Sequence, residues 1–189
     1  AHADQGEGAG VVFLETLESA KARGARIYGE IIEAAYGQDS KQPIHFDLAE
    51  HALSYTLGVL LKRAGILPRE IDYMNLHGTG TRHGDLYETL ELKEALGPEA
   101  YNIPMSSTKG STGHMLGATG AIEIIATLLG IHGGFVPPTV GLEEKDPACD
   151  LDYTPGKMRP HKIVNAVKVS MGFGGQVAAV LLRKSSLSD

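Results

Sequence analysis

Two histidines lie in short segments of small residues, a setting that suits chemistry at an imidazole ring. His77 opens the segment 77–81, and His114 ends the segment 106–114. Glycine, serine and threonine let a ligand approach the backbone closely while the imidazole projects into a cavity. A ring whose nitrogens bond to neighbouring carbonyl groups would fit either segment as well. Each segment taken by itself therefore leaves both interpretations open.

A lysine and a glutamate accompany the second histidine. Lys109 precedes His114, and Glu123 follows it within a strongly apolar helical pattern. A carboxylate in such a helix is costly unless it is paired, and Lys109 is the obvious partner. We therefore predict a structural ion pair between Lys109 and Glu123, with an indirect effect on the histidines.

A third segment, Gly172–Gly175, separates two apolar runs near the end of the chain. Backbone N–H groups in such a turn can point at a developing oxyanion. An ordinary hairpin turn accounts for Gly172 and Gly174, but it does not account for the apolar Phe173 between them.

The elements that must position these segments alternate regularly. Strands are predicted at 11–15, 25–37, 71–76, 103–107, 163–170 and 176–183, and helices at 17–23, 48–64, 86–96 and 118–132. This order implies an α/β fold with a mainly parallel sheet covered by helices, in a single domain over residues 1–189. Ligands bind beyond the C-terminal ends of such strands, the edge where His77 and the loop bearing His114 lie.

Composition excludes several classes of partner. The net charge of −6 argues against nucleic acid, which needs clustered lysine and arginine. No apolar run approaches the ~20 residues that cross a bilayer, and the single cysteine, Cys149, cannot form an internal disulfide. We therefore expect no nucleic-acid or membrane partner, and a cytoplasmic or organelle-matrix location. Two histidines without an obvious third ligand are an incomplete zinc set, so we expect no metal.

The three segments, in this order, resemble the C-terminal half of elongating β-ketoacyl-acyl-carrier-protein synthases (ketosynthases) of fatty-acid and polyketide synthesis. The likeness extends to Gly6–Gly10 and to Asp146–Tyr153, and so spans nearly the whole chain. It implies a thiolase-like fold, of which this chain is one half, with a mixed, mainly parallel five-stranded sheet. Because the chain begins at Ala1 and Cys149 lies among aspartates that disfavour a thiolate, we expect a cut, processed or split protein. An N-terminal half would then supply the nucleophilic cysteine.

The resemblance also implies a role for each candidate residue. His77 and His114 would be the histidines of a Cys-His-His triad, and Thr79 and Thr81 would bind the phosphopantetheine arm of the substrate. Lys109 and Glu123 would support the histidines, and Phe173, between Gly172 and Gly174, would be a gating residue whose N–H forms half of an oxyanion hole.

The implied reaction is the decarboxylative Claisen condensation of an acyl thioester with malonyl-carrier protein. Two neutral imidazole N–H donors would stabilise the enolate oxygen that forms when carbon dioxide leaves. No cofactor is implied beyond the phosphopantetheine of the acyl carrier protein. The implied partners are the Cys-bearing N-terminal half, the acyl carrier protein and a second copy of the whole enzyme in a homodimer.

Two alternatives stay open. A chain-length-factor-like partner would bind carrier protein and shape the acyl cavity without catalysis, although such partners often lose catalytic residues and both histidines are present here. A thiolase-type enzyme would use coenzyme A thioesters instead. Comparing the turnover of carrier-bound substrates with that of coenzyme A substrates distinguishes a thiolase-type enzyme from a ketosynthase.

Overall fold

The computed structural model describes residues 4–39, 41 and 46–186. The helices of this part are α1 (Leu17–Ala22), α2 (Ala52–Ala64), α3 (Arg82–Leu96), α4 (Lys109–Thr112) and α5 (Thr119–Gly133). The strands are β1 (Glu30–Gln38), β2 (Tyr73–Asn75), β3 (Met105–Ser106), β4 (Phe135–Val136), β5 (Arg159–Pro160), β6 (Asn165–Gly172) and β7 (Gln176–Arg183). Short 3₁₀ turns occupy Pro68–Glu70, Gly97–Tyr101 and Leu116–Ala118.

Five strands form one mixed sheet in the order β1-β7-β6-β2-β3. β2 pairs in parallel with both β6 and β3, whereas β7 pairs antiparallel with β6 and with β1. Four of these strands therefore run in one direction and β7 runs against them. The predicted five-stranded, mixed and mainly parallel sheet is confirmed. β4 and β5 form a separate antiparallel pair.

The two faces of the sheet bury different helices, because successive side chains of a strand alternate between faces. Met74, Val167 and Val169 belong to the larger core cluster, which also contains buried leucines of α2 and α3. Tyr73 and Ala166 point the other way, into a smaller cluster with α5. The sheet thus lies between α2 and α3 on one face and α5 on the other.

Glycines follow the last residues of α2 and α5. Gly65 and Gly134 have φ angles of 66° and 68°, and each ends a helix in the left-handed region that favours glycine. Helix starts are less well predicted. α3 begins at Arg82, four residues before the predicted start at 86. Thr81, the residue before it, is in an extended conformation.

The predicted strand at 11–15 is wrong. Residues 11–15 form no strand and pair with none, and Val11 is 89% exposed. The first strand of the sheet is β1, which begins at Glu30 and pairs with β7. Val11 and Phe13 instead line an apolar groove against Ile125 and Leu129 of α5. An apolar run alone does not make a strand, because a strand also needs a neighbouring strand with which to pair.

Residues 116–133, which include α5, are long and apolar enough to cross a membrane, contrary to the sequence-based expectation. Three observations favour a core helix. α5 packs on β6, its Glu123 is fully buried there, and that carboxylate is ion-paired with lysines of the same domain. A charged group at the centre of a membrane helix is expensive, whereas this one has protein partners.

Candidate active site

His77 and His114 meet beyond the C-terminal ends of the parallel strands. His77 follows the end of β2 at Asn75, and His114 lies in the loop after β3 and α4, just before α5. The centroids of the two rings are 5.6 Å apart and the ring planes are inclined by 84°, an edge-to-face arrangement. Both side chains are half-buried. The topology therefore brings the two candidate catalytic rings to one place.

The backbone at His77 is held by a glutamate that sequence reasoning missed. The Glu88 carboxylate, buried on α3, accepts the N–H of His77 at 2.7 Å and the N–H of Gly78 at 2.8 Å. Burial raises the pKa of Glu88 to about 7, while the two N–H donors oppose that rise. The available signal was an acidic residue one helical turn after Asp85, facing the same strand end.

The loops that follow β2 and β3 are joined at Gly78. The Ser107 hydroxyl donates to the carbonyl oxygen of Gly78 at 2.7 Å. Gly78 has a φ of 36°, and a Cβ there would lie 2.6 Å from the Cβ of Ser107. This close approach explains why a glycine follows His77.

The backbone of His114 is held by the segment that contains Asp4 and Gly6. Its N–H donates to the carbonyl of Asp4 at 2.7 Å, and its carbonyl accepts the N–H of Gly6 at 3.2 Å. A Cβ on Gly113 would lie 2.9 Å from Gly6, so both glycines are needed for this contact. The glycine-rich segment near the N-terminus therefore positions the second histidine.

The hydrogen bonds of the His114 ring select one tautomer. Its Nδ1 accepts the backbone N–H of Leu116 at 3.3 Å and lies 3.1 Å from the hydroxyl of Thr119. Because a backbone N–H can only donate, Nδ1 carries no proton in the neutral ring. The neutral ring then carries its proton on Nε2, which is available as a donor.

Two lysines flank one buried carboxylate behind the histidines. The predicted ion pair is present, with 2.7 Å between Lys109 Nζ and Glu123 Oε1. The second carboxylate oxygen, Oε2, lies 2.8 Å from Nζ of Lys168 on β6. All three side chains are almost fully buried. Sequence reasoning missed Lys168, although a lysine inside an otherwise apolar strand indicates a buried partner.

These surroundings keep both imidazoles uncharged at neutral pH. Burial, and then the positive charges of Lys109 and Lys168, lower the pKa of His77 to about 2. Burial and Lys109 also lower the pKa of His114, with Glu123 acting in the opposite direction. Neutral rings can donate one hydrogen bond each to an oxygen that becomes negative.

The remaining candidate residues lie around this edge. The hydroxyl oxygens of Thr79 and Thr81 are 3.2 Å apart in the loop after His77. Phe173 lies in the β6–β7 turn with 76% of its surface exposed.

The β6–β7 turn is tied to the end of β1. The N–H of Asp39 donates to the carbonyl of Gly175 at 2.8 Å, and the Gln38 amide donates to the carbonyl of Gly174 at 3.0 Å. The two glycines that follow Phe173 therefore have fixed neighbours, while the Phe173 side chain is exposed.

Cys149 is poorly suited to act as a nucleophile. Burial raises the pKa of its thiol, and the nearby charges of Asp146, Asp85 and Asp150 raise it further. A reactive cysteine needs the reverse, a cationic or helix-start setting that stabilises the thiolate.

A thiolase-like half-fold that presents two uncharged histidines at its strand edge defines the C-terminal half of a ketosynthase. The family described as "Beta-ketoacyl synthase, C-terminal domain" matches residues 28–143. The chain therefore belongs to this family.

Curated relatives agree. The chain is 44% identical over 179 residues to 3-oxoacyl-[acyl-carrier-protein] synthase 2 of Synechocystis sp., covering 95% of this chain and 43% of that protein. It is also 44% identical over 185 residues to the putative polyketide beta-ketoacyl synthase 1 of Streptomyces cyaneus, covering 96% of this chain and 44% of the relative. The chain thus spans less than half the length of these relatives.

Solved structures share the fold. The ishigamide ketosynthase/chain length factor superposes with a TM-score of 0.91 at 34% identity, covering 96% of this chain and 44% of that one. A type II polyketide ketosynthase solved in complex with its acyl-carrier protein superposes with a TM-score of 0.88 at 35% identity, covering 91% of this chain and 42% of that one.

Proposed function

We propose that this chain is the histidine-bearing half of a complete β-ketoacyl-acyl-carrier-protein synthase in fatty-acid or polyketide synthesis. The enzyme would join an acyl group to malonyl-carrier protein and release carbon dioxide. The observation that carries the proposal is the convergence of His77 and His114, with ring centroids 5.6 Å apart and lowered pKa values.

Each bond change has a group that serves it. Cleavage of the malonyl carboxyl bond leaves an enolate, whose oxygen accepts hydrogen bonds from the two imidazoles. A preorganised donor of this kind contributes about 3 kcal/mol to the transition state. The enolate carbon then attacks an acyl thioester on the cysteine of the other half, and the thiolate leaves as the β-ketoacyl product forms. The N–H of Phe173 would help bind the oxyanion of that second step.

The proposal also assigns roles to the remaining candidate residues. Thr79 and Thr81 would bind the phosphopantetheine arm, and Phe173 would open and close the acyl channel. Lys109 and Glu123 would hold the histidines in place. The substrates would be carried by acyl carrier protein, and no further cofactor would be needed.

The N-terminal half would cover apolar surface that this chain leaves exposed. Val11, Phe13 and Leu14 are exposed, and together with Leu129 of α5 they line one apolar groove. Large contiguous apolar surfaces mark interaction sites in soluble proteins. We further propose that the complete enzyme is a homodimer in the cytoplasm or an organelle matrix, which light scattering and fractionation would test.

The test is reconstitution with the matching Cys-bearing half. Carbon dioxide release from malonyl-carrier protein and the mass of the β-ketoacyl product are measured together. His77→Ala and His114→Ala should each reduce decarboxylation by about 10²-fold or more. His132→Ala, at the other end of α5, is the matched control and should retain activity. An active complex that is indifferent to both substitutions would show the assignment to be wrong.

The same assay separates the alternatives. A chain-length-factor-like scaffold would bind carrier protein without decarboxylating malonyl groups in any combination of halves. A thiolase-type enzyme would turn over coenzyme A thioesters at least as fast as carrier-bound ones. The retention of two uncharged histidines supports the catalytic proposal over the scaffold.

A further inference from the structure

Lys168 is the buried cation that the proposed mechanism leaves unused. It lies on β6 with 2% of its surface exposed, and its side chain is directed to the face of the sheet that α5 covers. The pairing register puts it beside Asn75 of β2, two residues before His77. A lysine in the centre of a sheet is rare and needs a compensating partner.

The partners of Lys168 fix its position. Its ammonium lies 2.8 Å from Glu123 Oε2 and 3.0 Å from the hydroxyl of Ser170, and it also contacts the carbonyl oxygen of Val169. Lys109 occupies the other oxygen of the same carboxylate at 2.7 Å. One buried negative charge therefore faces two buried positive charges.

This imbalance distinguishes Lys168 from a simple structural pair. Lys109 and Glu123 neutralise each other, so their pair alone leaves no net charge beside the imidazoles. Adding a second ammonium leaves one unit of positive charge on the cluster of Lys109, Glu123 and Lys168, whose side chains are almost fully buried. Charges act more strongly there than in water, because the effective dielectric constant is lower.

We propose that Lys168 is a positioning residue of the condensing site: it locks the second oxygen of Glu123 and gives the buried cluster the net positive charge that favours uncharged imidazoles and a negative reaction intermediate. The proposal rests on the proposed function for the identity of that intermediate. The effect of the Lys168 charge on the two imidazoles does not depend on which reaction the enzyme catalyses.

The charges around Lys168 are consistent with this role. Ionisable groups that interact with it come from several elements, namely Glu123 of α5, Lys109 of α4, Glu88 of α3, and His77 and His114 of the intervening loops. Burial lowers the pKa of Lys168 to about 8, and Glu123 limits that fall, so the ammonium is present at neutral pH. Lys168 in turn lowers the pKa of both histidines.

The first test measures the histidines directly. In the complete enzyme carrying labelled histidine, NMR titration gives the pKa of His114. Lys168→Met removes the charge while keeping a similar length, and the pKa of His114 should rise by about one unit. Lys168→Arg should leave it nearly unchanged, as should Lys62→Met, which alters an exposed lysine on α2. An unaltered pKa in Lys168→Met would overturn the proposal.

The second test measures catalysis. The acid limb of malonyl decarboxylation should move to higher pH by the same amount in Lys168→Met, with the rate at neutral pH reduced and the KM for malonyl-carrier protein little changed. A reduced rate with an unmoved acid limb would mean that Lys168 only supports the fold. Lys168→Gln, which can still bond to Val169 and Ser170, serves as a second neutral variant if the methionine fails to fold.

The two readouts keep this inference separate from the proposed function. A wild-type enzyme without decarboxylation would contradict the proposed function, while the titration of His114 would still test Lys168. Activity that depends on both histidines, together with an unmoved His114 pKa in both neutral variants, would contradict the role of Lys168 alone.

Discussion

Replacing Glu88 with glutamine changes one atom of the side chain and should disturb the catalytic loop. The carboxylate accepts the N–H groups of His77 and Gly78 at 2.7 and 2.8 Å through its two oxygens. A glutamine amide has a single oxygen, so its NH₂ group would face one of these donors. The backbone would have to rotate away to relieve that conflict.

The size of the effect follows from the lost bond. Leaving one buried N–H without an acceptor costs about 1–3 kcal/mol. Displacing a catalytic ring by ~1 Å costs about 10²-fold in rate. Glu88→Gln should therefore lower both the free energy of unfolding and the rate of malonyl decarboxylation, the latter through the position of His77.

The pH dependence of stability gives an independent signature. Burial raises the folded-state pKa of Glu88 from 4.5 to about 7. Between these two pH values the Glu88 side chain is protonated in the folded protein and ionised in the unfolded chain. The associated stability is fully present below the unfolded pKa and is lost as the pH rises through about 7. At 1.36 kcal/mol per pKa unit, the shift of Glu88 contributes about 3 kcal/mol to the free energy of unfolding at low pH. Glutamine does not titrate, so the variant lacks this contribution to the pH dependence.

Denaturant unfolding between pH 5 and pH 8, together with the decarboxylation assay, measures both effects. The advantage of the wild type over Glu88→Gln should grow as the pH falls across this range. Glu94→Gln, an exposed glutamate on the same helix, should reproduce the wild-type slope. A variant with the wild-type pH slope and undiminished activity would refute the assigned role of Glu88.

Two further predictions concern the buried charges and the β6–β7 turn. Lys109→Met should destabilise the protein by about 2 kcal/mol in chemical unfolding. This is less than the ~3–5 kcal/mol for breaking an isolated buried pair, because Glu123 keeps its ion pair with Lys168. A loss above ~3–5 kcal/mol would mean that Lys168 does not compensate for the loss of Lys109. Gly175→Ala should lower the thermal midpoint far more than Gly174→Ala, because a Cβ on Gly175 would collide with the carbonyl of Asp39, whereas Gly174 has open space. Similar midpoints for the two variants would contradict this account of the turn.

The parts of the fold that sequence predicted well are those set by local chemistry. The bounds of β7, Gln176–Arg183, match the predicted strand, since alternating side chains follow a glycine-rich turn there. The end of α2 at Gly65 follows from one left-handed glycine. The pairing of Lys109 with Glu123 followed from the cost of an isolated charge in an apolar helix.

The parts that sequence missed depend on contacts between distant segments. The position of Glu88 one helical turn after Asp85 was visible in the sequence, but its contact with the backbone of His77 was not, because that contact joins a helix to the end of a strand. The charge of Lys168 was visible in the sequence, but its partner was not, since the β2–β6 register decides what it meets. Residues 11–15 were misassigned because their apolar pattern does not specify a strand partner.

The attachment of His114 to Asp4 and Gly6 has a consequence for how activity develops during folding. The backbone of His114 is held by a segment more than one hundred residues earlier in the sequence, so its ring reaches its working orientation only after a long-range contact has formed. Contacts of such high sequence separation form slowly, because loop entropy is lost before they stabilise the protein. A nascent or partly refolded molecule in which these two backbone bonds have not formed would therefore lack the working orientation of His114, even where helices and turns set by local contacts had already formed.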